Sequence, residues 1–367
     1  MKLPMRTLLA LLPLLLATPH ATAEVTIESL IDDAGLREGP VPMRDVDGWR
    51  KPRRIVVSDR WDIAASLQAQ HPDVEFVAVG SADAAVTAAR DADAVIGWCD
   101  ARIIDASARL VWAQVGSSGV ERCMDTSRIA DGSVVLTNMQ KMSSPVIGEH
   151  AVAMMLSLAR GLPQQARRMQ SGEWDRRVGD DVGMISVNGK TLLVAGLGGI
   201  GTAAARRADG LGMRILATRN SSREGPDFVD YVGLSDELFA LAEQADVVIN
   251  ALPLTPETRG LFDAAFFDAV KPGVIFINVA RGGSVVTDDL VAALKDGRVL
   301  AAGLDVTDPE PLPSGHPLWQ MENVIITPHI AWYGSTQERE NVLTTENVRR
   351  FINGDALLNV VDPERGY

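Results

Sequence analysis

The chain has 367 residues, 46% hydrophobic and 23% charged, with a formal net charge of −13. This is ordinary globular composition and enough length for two domains, and an acidic chain without basic clusters excludes nucleic acid and an anionic membrane surface as partners. Two cysteines with no C-x-x-C give no support to a zinc or iron–sulfur site, so no metal is expected.

Lys2 and Arg6 precede an apolar run from Leu8 to Ala17, interrupted by Pro13, and Ala21-Thr22-Ala23 is a small-x-small site before Glu24. Residues 1–23 read as a secretory signal peptide, too short for a comfortable membrane span, and place the mature protein in the periplasm or outside the cell. A misplaced start would instead leave it cytoplasmic. No twin arginine precedes the apolar run, which favours export of the unfolded chain. In an oxidising compartment Cys99 and Cys123 could pair, although two isolated cysteines read first as small buried residues. Residues 24–53, punctuated by Gly39-Pro40, Pro42 and Pro52, read as an irregular extension on the surface.

Regular pattern starts at Arg54. Strands are expected at Ile55–Ser58, Val74–Val79, Ala94–Trp98, Leu110–Gln114 and Val134–Leu136, with helices at Trp61–Gln70 and Ala82–Ala92. Pro145–Arg160 is a long apolar helix that links to a second domain. Beyond it, Gln164–Gly183 is polar, and Trp174 stands alone there as either a contact with a partner subunit or a staple onto its own domain. Six more strands follow: Leu192–Ala195, Arg214–Ala217, Asp246–Asn250, Val274–Asn278, Val299–Leu304 and Val324–Ile326. Between them lie helices at Ser235–Gln244 and after Thr287, the latter with Thr287 as N-cap and Gly297 past its end. Ser335-Thr336-Gln337-Glu338 is a capping box opening a last helix that returns to the first domain. Apolar strands alternating with helices indicate an α/β fold of two Rossmann-like or flavodoxin-like domains, each a parallel sheet flanked by helices, with a cleft between them.

The second domain opens on Thr191–Asn220, a strand–turn–helix–strand unit whose turn is Gly196-Leu197-Gly198-Gly199-Ile200-Gly201. That context makes G-x-G-x-x-G a dinucleotide-binding signature. Gly196 permits the tight turn, Gly198 lets the backbone approach a pyrophosphate, Gly201 lets helix and strand pack closely, and the helix N-terminus attracts the phosphates.

Ligands of open α/β sheets bind at the carboxyl ends of strands, and three such ends carry chemistry. Val274–Asn278 runs into Val279-Ala280-Arg281-Gly282-Gly283, where an arginine on a small turn can grip a carboxylate bidentately. Val299–Leu304 runs into Asp305 and then Glu310, held stiff by prolines on both sides. Val324–Ile326 runs into Thr327-Pro328-His329. Of the five histidines, His329 alone has that placement. An arginine to orient a carboxylate and polarise a carbonyl, and a histidine to donate a proton as hydride arrives, are the kit for reducing a 2-oxo acid.

From Val194 to Trp332 the chain resembles the D-isomer-specific 2-hydroxyacid dehydrogenase family, in the motifs GLGGIG, INALPLTPETRGLF, INVARGGSVV, AAGLDVTDPEPLP and ITPHIAW. SSGVERC and GEHAVAMMLSLAR extend the resemblance back into the first half, so that it covers about Arg54 to Gly354. The resemblance, which is to the glyoxylate/hydroxypyruvate reductase-like and NADP-preferring branch, implies catalytic roles for Arg281, Glu310 and the proton donor His329. It implies a substrate-carboxylate loop at Ser117, Ser118, Gly119 and Val120, working with Arg281. It implies cofactor contacts from the glycine turn, Pro253, Val279, Ala280, Arg281, Asp305 on the nicotinamide side, and His329. It also implies a discontinuous first domain, 54–148 plus 331–367, around a dinucleotide domain of 149–330, and a homodimer formed through the nucleotide domain and the arm of Trp174. Glu310 speaks against the formate dehydrogenase branch, which has glutamine there.

NAD selectivity calls for an acid at the end of the second strand of the dinucleotide unit. Here Thr218, Arg219 and Asn220 stand there, then Ser221, Ser222 and Arg223, with no acid before Glu224. NADP(H) is therefore expected, with NAD(H) as the alternative. The expected function is an NADP(H)-dependent reductase of small 2-oxo acids. The alternative is an exported protein that keeps the fold and binds NADP(H) without turnover, as a sensor or interaction module.

Overall fold

The computed structural model describes residues 25–363, except 175, 177, 178, 180–182, 221, 335 and 336. The signal-peptide segment and the first half of the expected capping box lie outside the described residues. The apolar runs become strands of two all-parallel sheets. In the first, β1 (Arg54–Ser58), β2 (Glu75–Val79), β3 (Ala94–Ile96), β4 (Trp112–Gln114) and β5 (Val135–Thr137) lie in the order β2-β1-β3-β4-β5. The inner strands β3 and β4 are buried along their whole length, which is why they read as unbroken apolar runs rather than alternating ones.

The segment before β1 is not a surface extension. It forms a helix, Ile27–Ala34, whose N-cap Thr26 accepts a hydrogen bond from the Ser29 amide at 3.2 Å. Leu30, Leu36 and Met43 are buried in one core with Ile55, Trp112 and Phe351. The prolines mark turns correctly, but an amphipathic helix of eight residues carries too little periodicity to stand out between them. The last helix, Gln337–Asn353, packs into that same core through Leu343, Val348 and Phe351. It is keyed to β4 by Gln114, whose amide donates to Thr344 Oγ1 at 2.8 Å while its carbonyl accepts from Asn347 at 2.9 Å.

The second sheet contains β6 (Thr191–Ala195), β7 (Arg214–Thr218), β8 (Tyr231–Gly233), β9 (Val247–Asn250), β10 (Val274–Asn278), β11 (Val299–Leu304) and β12 (Val324–Ile326), in the order β12-β11-β10-β9-β6-β7-β8. Among the described residues it has seven strands rather than six. The additional β8 is a three-residue edge strand, too short for a pattern to register. The apolar helix Ser144–Ala159 lies on this sheet, against β10, β11 and the helix Gly199–Asp209 that follows the glycine turn.

Three further expectations meet the structure. Cys99 and Cys123 form a disulfide, so the reading as separate buried thiols is wrong; the bond links the residues after β3 to those after β4. Thr287 is the first residue of its helix rather than the cap, which is Val286, and its hydroxyl donates to the Asp308 carbonyl at 2.7 Å. Trp174 is 91% exposed and so does not fold back onto its own domain.

Candidate active site

The strand order sets the expected residues in a row along one edge of the second sheet. From one side to the other, β12 delivers His329, β11 Asp305 and Glu310, β10 Arg281, β9 Pro253, β6 the glycine turn, and β7 Thr218, Arg219 and Asn220. An extended ligand lying across these ends meets all of them in turn.

At the glycine turn the backbone is left-handed at Gly196 (φ +94°), and a Cβ there would stand 2.9 Å from the Ala251 carbonyl oxygen. A Cβ on Gly201 would collide with the Gly196 carbonyl, whereas Gly198 faces open space. The helix starts with Gly198 as N-cap and no side-chain cap, which leaves its first N–H groups for an anion. The residues therefore fit a dinucleotide pyrophosphate. Thr218 lies beneath the turn, 3% exposed, its hydroxyl accepting from the Gly196 amide at 3.3 Å. Arg219 is half-buried and donates to the Glu224 carbonyl at 2.8 Å, and Asn220 is exposed. Arg223 pairs with Glu237 at 2.6 Å and with the Tyr231 hydroxyl at 2.9 Å, so its charge is already matched.

Beneath Arg281 lies a buried polar network. The Asn250 amide donates to Asn278 Oδ1 at 3.0 Å and to Ser284 Oγ at 2.8 Å; Ser284 Oγ and Asn278 Nδ2 in turn donate to the Arg281 carbonyl at 2.7 and 3.2 Å. Such a network, satisfied throughout, holds a turn rigidly. A Cβ on Gly282 would run into the Thr307 carbonyl. The Arg281 loop and the loop leading to Glu310 are therefore in backbone contact, which only glycine permits. Val279 and Ala280 are both 5% exposed and Pro253 is exposed.

Asp305, 3% exposed, turns inward. Its Oδ1 accepts from the Thr327 hydroxyl at 2.6 Å and the Ile330 amide at 2.9 Å, and its Oδ2 from the Ala331 amide at 3.1 Å. Its carboxylate thus anchors the loop that carries His329. Thr327 also meets His150 Nε2, at 3.0 Å, from the linking helix. His329 has φ +55°, and its amide donates to the Asp305 and Thr327 carbonyls at 2.8 and 3.0 Å. A non-glycine residue held there costs about 1–3 kcal/mol and persists where surroundings over-determine it. The Trp332 indole adds a brace by donating to the His329 carbonyl at 3.0 Å. The outcome is a ring whose Nδ1 stands 2.7 Å from Glu310 Oε1, with both side chains partly open to solvent.

On the first sheet, the Ser117–Val120 loop follows β4. Its Ser117 hydroxyl donates to the Gly119 carbonyl at 2.6 Å, and Asn138 Nδ2 to the Ser118 carbonyl at 2.9 Å. The Cys123 amide donates to the Val120 carbonyl at 2.8 Å, so the disulfide sits at the root of this loop. Ser117 and Ser118 are exposed; Val120 is buried and offers only its backbone. Among the described residues the loop makes no hydrogen bond to Glu310 or His329. Trp98 packs against the first sheet's core, while Trp332 and Tyr333 are 48% and 74% exposed beside His329.

The profile for "D-isomer specific 2-hydroxyacid dehydrogenase, NAD binding domain" matches residues 152–331. A glyoxylate/hydroxypyruvate reductase B from Enterobacter is 37% identical over 65% of this chain and 74% of its own length. The chain belongs to the D-isomer specific 2-hydroxyacid dehydrogenase family. A solved member from Xanthobacter autotrophicus, in complex with NADPH and MES, superposes with a TM-score of 0.74 at 28% identity, covering 87% of this chain and 100% of that one. The NADPH-dependent glyoxylate/hydroxypyruvate reductase of Sinorhizobium meliloti, in complex with NADP and sulfate, does so with a TM-score of 0.73 at 25% identity, covering 86% and 100%. As a D-2-hydroxyacid dehydrogenase the protein is an NAD(P)-dependent oxidoreductase with two Rossmann-like sheets.

Sequence reasoning missed the parts of this site that act by support. Asn250 and Asn278 both close a strand of the second sheet, and an amide at the end of two buried strands is the signal that could have found their network. His150 and Thr327 carry no such signal, because they meet only when the linking helix lies on the sheet.

Proposed function

We propose that this dehydrogenase reduces a small 2-oxo acid to the D-2-hydroxy acid with NADP(H), His329 being the proton donor. The observation that carries the reading is the His329–Glu310 contact of 2.7 Å at the end of β12. A carboxylate only accepts, so Nδ1 carries hydrogen and Nε2 is the nitrogen left for substrate. Arg281, on the turn fixed from below, takes the substrate carboxylate and polarises the adjoining carbonyl, helped by backbone N–H groups of Ser117–Val120. The nicotinamide, when bound, supplies the hydride to the carbonyl carbon. The imidazolium gives its Nε2 proton to the carbonyl oxygen, so one hydride and one proton convert C=O to CH–OH. Glu310 keeps the tautomer and ring orientation constant through the cycle.

The decisive assay follows NADPH oxidation by the purified mature protein with glyoxylate, hydroxypyruvate and longer 2-oxo acids, with NADH in parallel. Turnover on at least one acid is expected. Cofactor binding without turnover across the panel would sink the proposal and leave a binding protein.

NADP(H) preference is supported by Arg219 at the end of β7, where no acid precedes Glu224. Arg219→Asp is expected to lower the NADPH/NADH ratio of kcat/KM by about 10- to 100-fold, the worth of one charge-assisted phosphate contact plus a new repulsion. An unchanged ratio means that Arg219 does not read the 2′-phosphate. Homodimerisation is supported by Trp174, with Met169 75% exposed on the helix before it. Light scattering should give twice the chain mass, falling towards the monomer for Trp174→Asp; a dimer indifferent to that change places the interface elsewhere. Export is supported by the signal-peptide pattern of residues 1–23 and is compatible with the disulfide. Recovery of the protein from the cytoplasm with its leader intact would reject it.

A further inference from the structure

Lys141 lies in the loop between β5 and the linking helix. Its backbone is left-handed (φ +74°), a conformation that suits glycine, so a lysine held there points to a constraint on the side chain. Its stem passes over the cofactor turn: a Cβ on Gly199 would lie 3.3 Å from Lys141 Cγ. Its ammonium donates to the carbonyl of Gly35, the C-cap of the N-terminal helix Ile27–Ala34. The charged neighbours of that ammonium are the guanidiniums of Arg37 and Arg219.

Lys141 thus spans from the glycine turn to the N-terminal segment, and its ammonium feels two further cations, one from that segment and one from the end of β7. Among the described residues none of the three is ion-paired, in a chain whose net charge is −13. Burial first, and then the two guanidiniums, holds the Lys141 ammonium below the usual lysine pKa. Like charges left unmatched in a half-buried place repel one another, and a polyanion bound among them relieves the repulsion.

We propose that Lys141 and Arg37 are the first domain's half of the cofactor-phosphate site, clamping a dinucleotide's pyrophosphate and 2′-phosphate against Gly198–Gly201 and Arg219. The pyrophosphate contact falls to Lys141, whose stem crosses Gly199, and applies to any dinucleotide. The additional benefit to a 2′-phosphate rests on the NADP(H) reading above. The N-terminal segment, absent from the motif pattern of the sequence, thereby becomes part of the cofactor site.

The test is equilibrium binding of NADPH, NADH and 2′,5′-ADP to the full-length mature protein, by calorimetry at two salt concentrations, alongside Tm. The variants are Lys141→Gly, Arg37→Gln and the pair. Lys141→Gly removes the charge while giving the left-handed position its preferred residue, so Tm should hold or rise. The Kd for NADPH should nevertheless increase about 10- to 100-fold, that for NADH less, and the salt dependence should flatten. Arg37→Gln should weaken NADPH and 2′,5′-ADP by about 3- to 10-fold. Unchanged Kd values, with or without a lower Tm, would make Lys141 a staple for the N-terminal segment and overturn the proposal. If the wild type prefers NADH, the NADP(H) reading fails by itself. The clamp then stands if Lys141→Gly still weakens NADH, and falls if it does not.

Discussion

With His329 replaced by alanine, kcat falls by roughly 10²- to 10⁴-fold while the Kd for the nicotinamide cofactor stays within about threefold of wild type. The loss corresponds to about 3–5 kcal/mol of transition-state stabilisation. It is that large because the nitrogen opposite Glu310 is aimed by a whole local construction. The Asp305 carboxylate fixes the loop through Thr327, Ile330 and Ala331, the His329 amide is doubly bonded, and Trp332 holds its carbonyl. Water entering in place of the ring has neither that position nor that acidity. Alanine must also occupy φ +55°, where asparagine is more at home, so His329→Asn is the companion variant. It keeps the backbone and can donate a hydrogen bond but carries no proton acidic enough to transfer. Equal losses of kcat in both variants, at wild-type cofactor affinity, assign the effect to proton transfer. Cofactor affinity lost along with kcat would reassign His329 to cofactor binding and remove the proton-donor role.

Arg281→Ala is expected to lower kcat/KM by about 10³-fold, near 4 kcal/mol, with Tm little changed. The size follows from the two jobs proposed for one guanidinium: bidentate grip of the substrate carboxylate and polarisation of the carbonyl as charge develops on its oxygen. The network under the turn uses the Arg281 carbonyl, through Asn278 and Ser284, so the turn itself survives the change, while side-chain contacts such as Nη1 to the Ala280 carbonyl at 2.9 Å are lost. Arg281→Lys retains the charge and loses the planar fork, so an intermediate deficit of about 10- to 100-fold is expected. If KM rises and kcat does not move, the arginine binds ground and transition states alike and has no part in the chemical step. A deficit below tenfold would remove Arg281 from the site.

Much of the nucleotide-binding half is legible in the chain because it is local. Strand, turn, helix and strand are contiguous from Thr191, and G-x-G-x-x-G needs only its neighbours to be read. His329, Arg281 and Glu310 are singled out as candidates by one rule, that ligands bind at carboxyl ends of strands, applied to strands that are continuous apolar runs. What could not be read was short or non-local. β8 is a three-residue edge strand, and the helix at Ile27–Ala34 is eight residues between proline-marked turns. Arg223 looked available as a phosphate reader until Glu237 and Tyr231 were brought beside it by β8 and the following turn. The resemblance implied Asp305 only as a contact on the nicotinamide side, and its carboxylate takes three donors of the next loop, a meeting that no local pattern shows.

By itself the sequence determined which residues are candidates for the chemistry and which strand ends they leave, since apolar runs, glycine spacing and proline-flanked acids act over a few residues. Only the tertiary structure decided how those ends stand to one another. The order β12-β11-β10-β9-β6-β7 lines up the histidine, arginine and glycine turn along one edge. The Gly282–Thr307 approach brings two loops into backbone contact. The Cys99–Cys123 bond and the contact of the Lys141 ammonium with the Gly35 carbonyl likewise join residues far apart in the chain. Such meetings depend on long-range packing and on like or opposite charges being forced together, and no local pattern encodes them.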